Sequence, residues 1–199
     1  MWLEIEISMN KGHKFTFLGL ITNIAFSLYY LILGLISHSW WLLTLGVYNF
    51  LLSVVRFVVL MIKSSERFIM KFTGWMLMFL TIPLVGTVIL SVVRDRGQEF
   101  HMIVMIAIAA YTFTRITLAT INLVKSRRLN SGIVKSLRNI AFSDALVSIF
   151  ALQRSMLVSF EGMTESEIII MNATLGAAVC VVVFMLGLHL VLQNAKRNQ

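Results

Sequence analysis

The chain has 199 residues, 58% of them hydrophobic and only 13% charged, with a formal net charge of +8. A water-soluble domain carries about 45–50% apolar and about 25% charged residues, so this composition excludes an ordinary soluble fold and indicates a membrane protein. The single cysteine, Cys180, excludes an internal disulfide, and no alternation of polar and apolar residues marks the strands of an outer-membrane barrel.

Six apolar runs reach the roughly 20 residues that a helix needs to cross a bilayer. The first, 15–36, follows the acidic opening MWLEIEIS, which is unlike the basic start of a signal peptide. The run also exceeds a signal core of about 7–15 residues, so it is expected to be retained. Within it Thr16, Gly19, Asn23, Ser27, Tyr30 and Gly34 recur at spacings of three and four, one face of a helix.

After SHSW, Trp40 and Trp41 stand where an outer aromatic belt belongs. The second run, 41–62, carries Gly46, Asn49, Ser53 and Arg56 on one face, with Lys63 beyond it. The link KSSERFIMK leads to the third run, 72–93, in which the chain's only proline, Pro83, is expected to kink the helix.

RDRGQEF precedes the fourth run, 101–124, where Tyr111, Arg115 and Asn122 share a face and Thr114 lies beside them. The long link KSRRLNSGIVKSLR precedes the fifth, 139–159, with Asp144, Ser148 and Ser155 aligned. In FEGMTESE, Thr164 and Glu167 form a capping box ahead of the sixth run, 168–192, where Cys180 reads as a small buried apolar residue.

The basic residues are unevenly distributed between the links. Lys11, Lys14, Lys63, Arg67, Lys71, Lys125, Arg127, Arg128, Lys135, Arg138, Lys196 and Arg197 fall on one side; Arg94 and Arg96 fall on the other. Short loops rich in Lys and Arg stay in the cytoplasm. The expected fold is therefore an all-α integral membrane protein, one transmembrane domain over 1–199, with six helices as three outward hairpins and both termini cytoplasmic. The positive charge is a topology signal. It makes anionic lipid head groups the expected partners of the cytoplasmic loops and argues against nucleic acid. Short echoes, NIAFS at 23–27 and 139–143, KFTFLGLI at 14–21 and KFTGWMLM at 71–78, hint at a hairpin repeat.

No stretch outside the apolar runs is long enough for a catalytic domain. The sequence has no H-E-x-x-H, G-x-S-x-G or C-x-x-C. SGIVKS at 131–136 lacks the glycines of a phosphate loop and reads as a helix start. NAT at 172–174 lies inside a span and is discounted as a glycosylation site. His189 is the one histidine well inside a span, near the cytoplasmic end and within reach of water, so no metal site is expected there. The chain reads as a non-enzyme without cofactor or metal.

Polar faces on membrane helices turn inward, and a charge at mid-bilayer costs about 2.5–3.5 kcal/mol on insertion scales. Arg56 and Asp144 lie at matching depths, about 10 Å and about 9 Å from the cytoplasmic end at about 1.5 Å per residue, and can pair. Arg115 lies about 15 Å in, near the midplane; with Asp144 neutralising one inner arginine, at least one of Arg56 and Arg115 is expected to lack an acidic partner. Arg154 is expected to snorkel to the outer surface. The expected ligand-binding residues are Arg56, Arg115, Asp144, Asn23, Tyr30, Asn49, Tyr111 and Asn122. An arginine without an acid, beside Tyr, Asn and Thr, suits a carboxylate or phosphate. In size, number of spans and lack of a soluble domain, the chain resembles the small substrate-binding subunits of vitamin importers. The expected function is binding and movement of a small polar or anionic solute through the cell membrane. The alternative is a membrane partner subunit or immunity-type protein whose polar interior only holds helices together.

Overall fold

In hydrocarbon a backbone has no water to bond, so it must satisfy its own N–H and C=O groups, which a helix does within one segment. The computed structural model describes residues 20–21, 23–61, 65–93, 102–126, 131–159 and 163–196. Among them are six helices and no strand. They are α1 (Asn23–Ile36), α2 (Trp40–Met61), α3 (Glu66–Val93), α4 (Met102–Ser126), α5 (Gly132–Ser159) and α6 (Glu165–Lys196). Four of them, α2, α3, α5 and α6, are long and apolar enough to cross a membrane. Thr16, Gly19, Lys63, Arg94, Arg96 and most of the basic link after α4 lie outside the described residues.

Two helices begin more than a full turn before their apolar runs. α3 starts at Glu66 and α5 at Gly132, whereas the runs start at 72 and 139. The extra turns are polar and are held by caps. Ser65 Oγ accepts from Phe68 N at 3.4 Å. The Glu66 carboxylate accepts from Ser131 Oγ at 2.7 Å and from Gly132 N at 3.0 Å. An acid at a helix N-terminus satisfies an orphan donor and complements the dipole. Here it also ties the starts of α3 and α5 together. The capping box holds at α6, where Thr164 N donates to Glu167 Oε2 at 2.9 Å and Glu167 N donates to Thr164 Oγ at 3.4 Å.

The turn between α1 and α2 is a left-handed cap. His38 has φ 49°, Ser39 N donates to Gly34 O at 3.0 Å, and His38 N donates to Leu35 O at 3.4 Å, the bond pattern of a Schellman motif. The returning helix then packs closely. A Cβ on Gly34 would meet Leu43, and one on Gly46 would meet Leu31, so α1 and α2 lie antiparallel.

α5 is the least apolar of the four long helices and the most buried. It packs on α2, α3, α4 and α6. Its Asp144, Ser143, Ser148 and Ser155 are all buried, as is Phe150. Polar residues that lipid would reject are thus placed at the centre. Large apolar side chains face outward instead: Trp75, Phe79 and Ile82 on α3, Val181 and Met185 on α6. That exterior suits hydrocarbon. α3 runs unbroken through Pro83.

Two expectations are corrected at the opposite end of α5 from Gly132. Arg154 does not snorkel. It is buried, donates from Nη1 to Ser91 O at 2.7 Å, and stands 4.6 Å over the Trp41 ring. Trp41 is buried beneath it while Trp40 is exposed, so only Trp40 is available to an interface belt. The indole face and a backbone carbonyl stabilise the guanidinium inside the protein, which makes the reach to water unnecessary. In NAT, Asn172 is buried within α6.

α3 and α6 meet through glycine. A Cβ on Gly74 would lie 2.7 Å from Gly187 O, and one on Gly187 would lie 2.8 Å from Gly74 O. Backbones that close require residues without side chains. Gly74→Ala and Gly187→Ala are each expected to lower the melting temperature in detergent, by about 1–3 kcal/mol of stability. Gly86→Ala, whose Cβ would meet nothing within 4 Å, should leave it unchanged or raise it. Equal effects at all three positions would contradict the close α3–α6 contact.

Candidate functional site

The polar faces of α1, α2, α4 and α5 converge on one carboxylate. Asp144 on α5 is 1% exposed, Arg56 on α2 and Arg115 on α4 are each 6% exposed, and Asn23 on α1 is fully buried. These exposures put the charges out of water. Asp144 Oδ2 accepts from Arg56 Nη2 at 3.3 Å and from Asn23 Nδ2 at 3.1 Å. The same oxygen is the ion-pair partner of Arg115 Nη1.

A second tier of contacts orients Arg115. Its Nη2 donates to Asn23 Oδ1 and to the Tyr111 hydroxyl, one helical turn back on α4. Tyr111 donates to Asn23 Oδ1 at 3.4 Å. The guanidinium also stands 4.6 Å over the Tyr111 ring. Phe26, one turn on from Asn23, stacks on the other aromatic partner, with Phe26 and Tyr111 centroids 3.4 Å apart. Asn23 thus bonds both the acid and the base, and its helix is locked to α4 by a ring pair.

The charge count is uneven. Two guanidinium groups, always ionised, meet one carboxylate. Among the described residues, Asp144 is the one acid in contact with them. Counted with all three groups ionised, the cluster carries one excess positive charge in an apolar interior. Its hydrogen-bonding capacity is also incomplete: Asp144 Oδ1, Arg56 Nε and Arg115 Nε are buried and have no hydrogen-bond partner. Buried polar atoms are normally satisfied, and an unsatisfied one costs about 1–3 kcal/mol.

The residues expected from the sequence divide into three groups. Arg56, Arg115, Asp144, Asn23 and Tyr111 come together. The pairing of Arg56 with Asp144 is as expected, but neither arginine is left without an acid: Arg115 reaches the same oxygen. Depth counted along the backbone overlooks the length of its side chain. Tyr30 is buried within electrostatic range of Arg115 but makes no hydrogen bond to the cluster among those described; its ring neighbours are Phe26 at 6.4 Å and Tyr29 at 6.0 Å. Asn49 donates to Leu45 O at 2.9 Å on its own helix and leaves its backbone carbonyl to Ser53 Oγ at 2.8 Å. The side chain of Asn122 lies outside those described. Phe26 was not among the expected residues, although its spacing from Asn23 puts it on the same helical face.

Among the described residues no three His, Cys, Asp or Glu side chains are grouped as metal ligands. His189, at the far end of α6, is exposed and bonds Gln193 at 2.7 Å.

The fold and the cluster define a class: a helical membrane protein with a buried ionic site joining four helices. No family model matches the chain, and no curated protein matches it.

The two-to-one stoichiometry predicts unequal mutational effects. Asp144→Asn leaves two buried cations without an acid and is expected to lose the most stability, about 3–5 kcal/mol. Arg56→Gln leaves a one-to-one Arg115–Asp144 pair and should lose less. The double variant should lose less than the sum. Unfolding in detergent measures all three; additive losses would mean that Arg56 and Asp144 do not interact.

Proposed function

We propose that this protein is a six-span protein of the cell membrane that binds a small anionic solute at the Arg56–Arg115–Asp144 cluster and carries it across the bilayer. The observation that carries this reading is the excess positive charge buried at the cluster. An unbalanced charge away from water is expensive unless something pairs with it, and intramembrane ionisable residues are by default functional. Arginine presents a planar fork that binds carboxylate or phosphate in two places.

The residues around the charge suit the role. Asn23 and Tyr111 are neutral and orient Arg115 without cancelling it. They come from α1 and α4, while Asp144 comes from α5 and Arg56 from α2. A solute bound to the free donors of Arg56 and Arg115 would add a bond between α2 and α4, and its arrival and departure would change how those helices are held.

Three outward hairpins with cytoplasmic termini remain the best reading of the topology. It is supported by the Glu66 cap, which draws the link before α3 to the link before α5. At the other end Trp41, Ser91 and Arg154 meet. Arg67, Lys71, Lys135 and Arg138 belong to the first turns of α3 and α5 and would meet anionic lipid head groups. No catalytic motif is present, and we read the chain as a non-enzyme.

A second reading is favoured by one observation, the direct contact of Asp144 with both arginines and Asn23. On that reading the cluster is a structural clasp, and the protein acts as a partner subunit or immunity-type protein through its surface.

Arg115→Lys separates the two. As a ligand arginine, its replacement should keep the fold but weaken anion binding at least about tenfold, or about 1.4 kcal/mol. Thermal stabilisation of purified protein by a panel of sodium salts, titrated against the variant, measures this. A variant with lowered melting temperature and unchanged binding per folded molecule favours the clasp. For topology, reporter fusions at residues 38, 97 and 163 should read outside and those at 67, 130 and 197 inside. An inverted reading at 67 or 130 breaks the hairpin scheme.

A further inference from the structure

Resting on the anion-binding reading, we infer that Asp144 sets the valence of the solute: the cluster accepts a monovalent anion and discriminates against a divalent one.

The charge count leads to this directly. Arg56 and Arg115 supply two positive charges and the Asp144 carboxylate supplies one negative, all buried. One monovalent anion makes the occupied cluster neutral. A divalent anion leaves it with a negative charge in a medium of low dielectric, where an uncompensated ion is strongly disfavoured. Asn23 and Tyr111, the other groups bonded to the cluster, carry no charge and leave the count unchanged.

The hydrogen bonds allow a second anion beside the carboxylate. Arg56 and Asn23 donate to a single oxygen, Asp144 Oδ2, and Arg115 pairs with the same oxygen as an ion. Each guanidinium has five N–H donors, and the Nε donors of Arg56 and Arg115 have no hydrogen-bond partner. A small carboxylate or halide would take those donors while Asp144 keeps its own. Asp144 is then a selector that never bonds the anion: it removes one unit of charge from the two arginines that do.

This makes Asp144 a specificity-determining residue, and its removal should change preference rather than only strength. Asp144→Asn leaves two positive charges, which one divalent anion neutralises. Asp144→Glu keeps the count at one.

The test uses purified full-length protein in detergent at neutral pH and matched ionic strength. Sodium chloride and sodium acetate are the monovalent probes, sodium sulfate and sodium malonate the divalent ones. Binding is read from thermal stabilisation and from competition between the salts. The native chain should prefer acetate to malonate by at least about tenfold. Asp144→Asn should prefer malonate and sulfate, and Asp144→Glu should keep the native order. If Asp144→Asn does not fold, Arg56→Gln provides the second arm. It leaves a neutral Arg115–Asp144 pair and should lose acetate binding at least about tenfold; native acetate affinity in that variant overturns the inference. Arginine-dependent binding with malonate as tight as acetate in the native chain, or an unchanged order in Asp144→Asn, also overturns it and leaves the anion-binding reading standing. Absence of binding by all four salts would defeat that reading itself.

Discussion

The polar half of this molecule depends on one carboxylate. Asp144 is on the central helix, and the side chains that bond it come from three others: Asn23 on α1, Arg56 on α2 and Arg115 on α4. In lipid the hydrophobic effect does little to hold one apolar helix against another. Directional bonds to a buried ion therefore carry the register among these helices. Withdrawing Asp144 would release all three contacts at once and leave two cations facing each other.

The other half is assembled differently. α3 and α6 are held by close backbone approach at Gly74 and Gly187, and Gly176 lies so near Val88 that a Cβ there would meet it at 2.6 Å. α5 joins the two halves. One face presents Asp144 to the arginines; Phe150, six residues on, lies near Gly176 in the apolar core. A rigid glycine-packed pair beside an ionic cluster with unsatisfied atoms is a reasonable division between scaffold and site. It also explains why the least apolar long helix is the most buried.

Much of this was legible in the sequence because hydrocarbon is a strict solvent. Apolar runs of about 20 residues must be helices, and polar stripes must face inward, so the placement of Asn23, Arg56, Tyr111 and Asp144 followed from spacing. The link lengths did not follow, because Glu66 and Gly132 begin helices within polar sequence, where caps rather than apolarity decide. Arg154 departs from its expected place for a related reason. A terminal arginine can reach water or can stay inside under an indole, and only the position of Trp41 decides which. Asn49 shows the limit of the stripe argument: it faces inward but bonds its own helix, as a mid-helix amide can whenever the carbonyl four residues back is available. The convergence of both arginines on one oxygen was the feature least accessible from sequence. It depends on side-chain reach and helix tilt, neither of which periodicity encodes.

The central claim is that the buried cluster holds one positive charge more than Asp144 can neutralise, and that a small anion completes it. Anomalous diffraction from crystals grown in bromide tests this most directly. The expected result is a bromide bonded to the guanidinium of Arg56 or Arg115, with Asp144 still paired to an arginine. A well-ordered cluster without bromide, in which Asp144 alone satisfies both guanidinium groups, would contradict it.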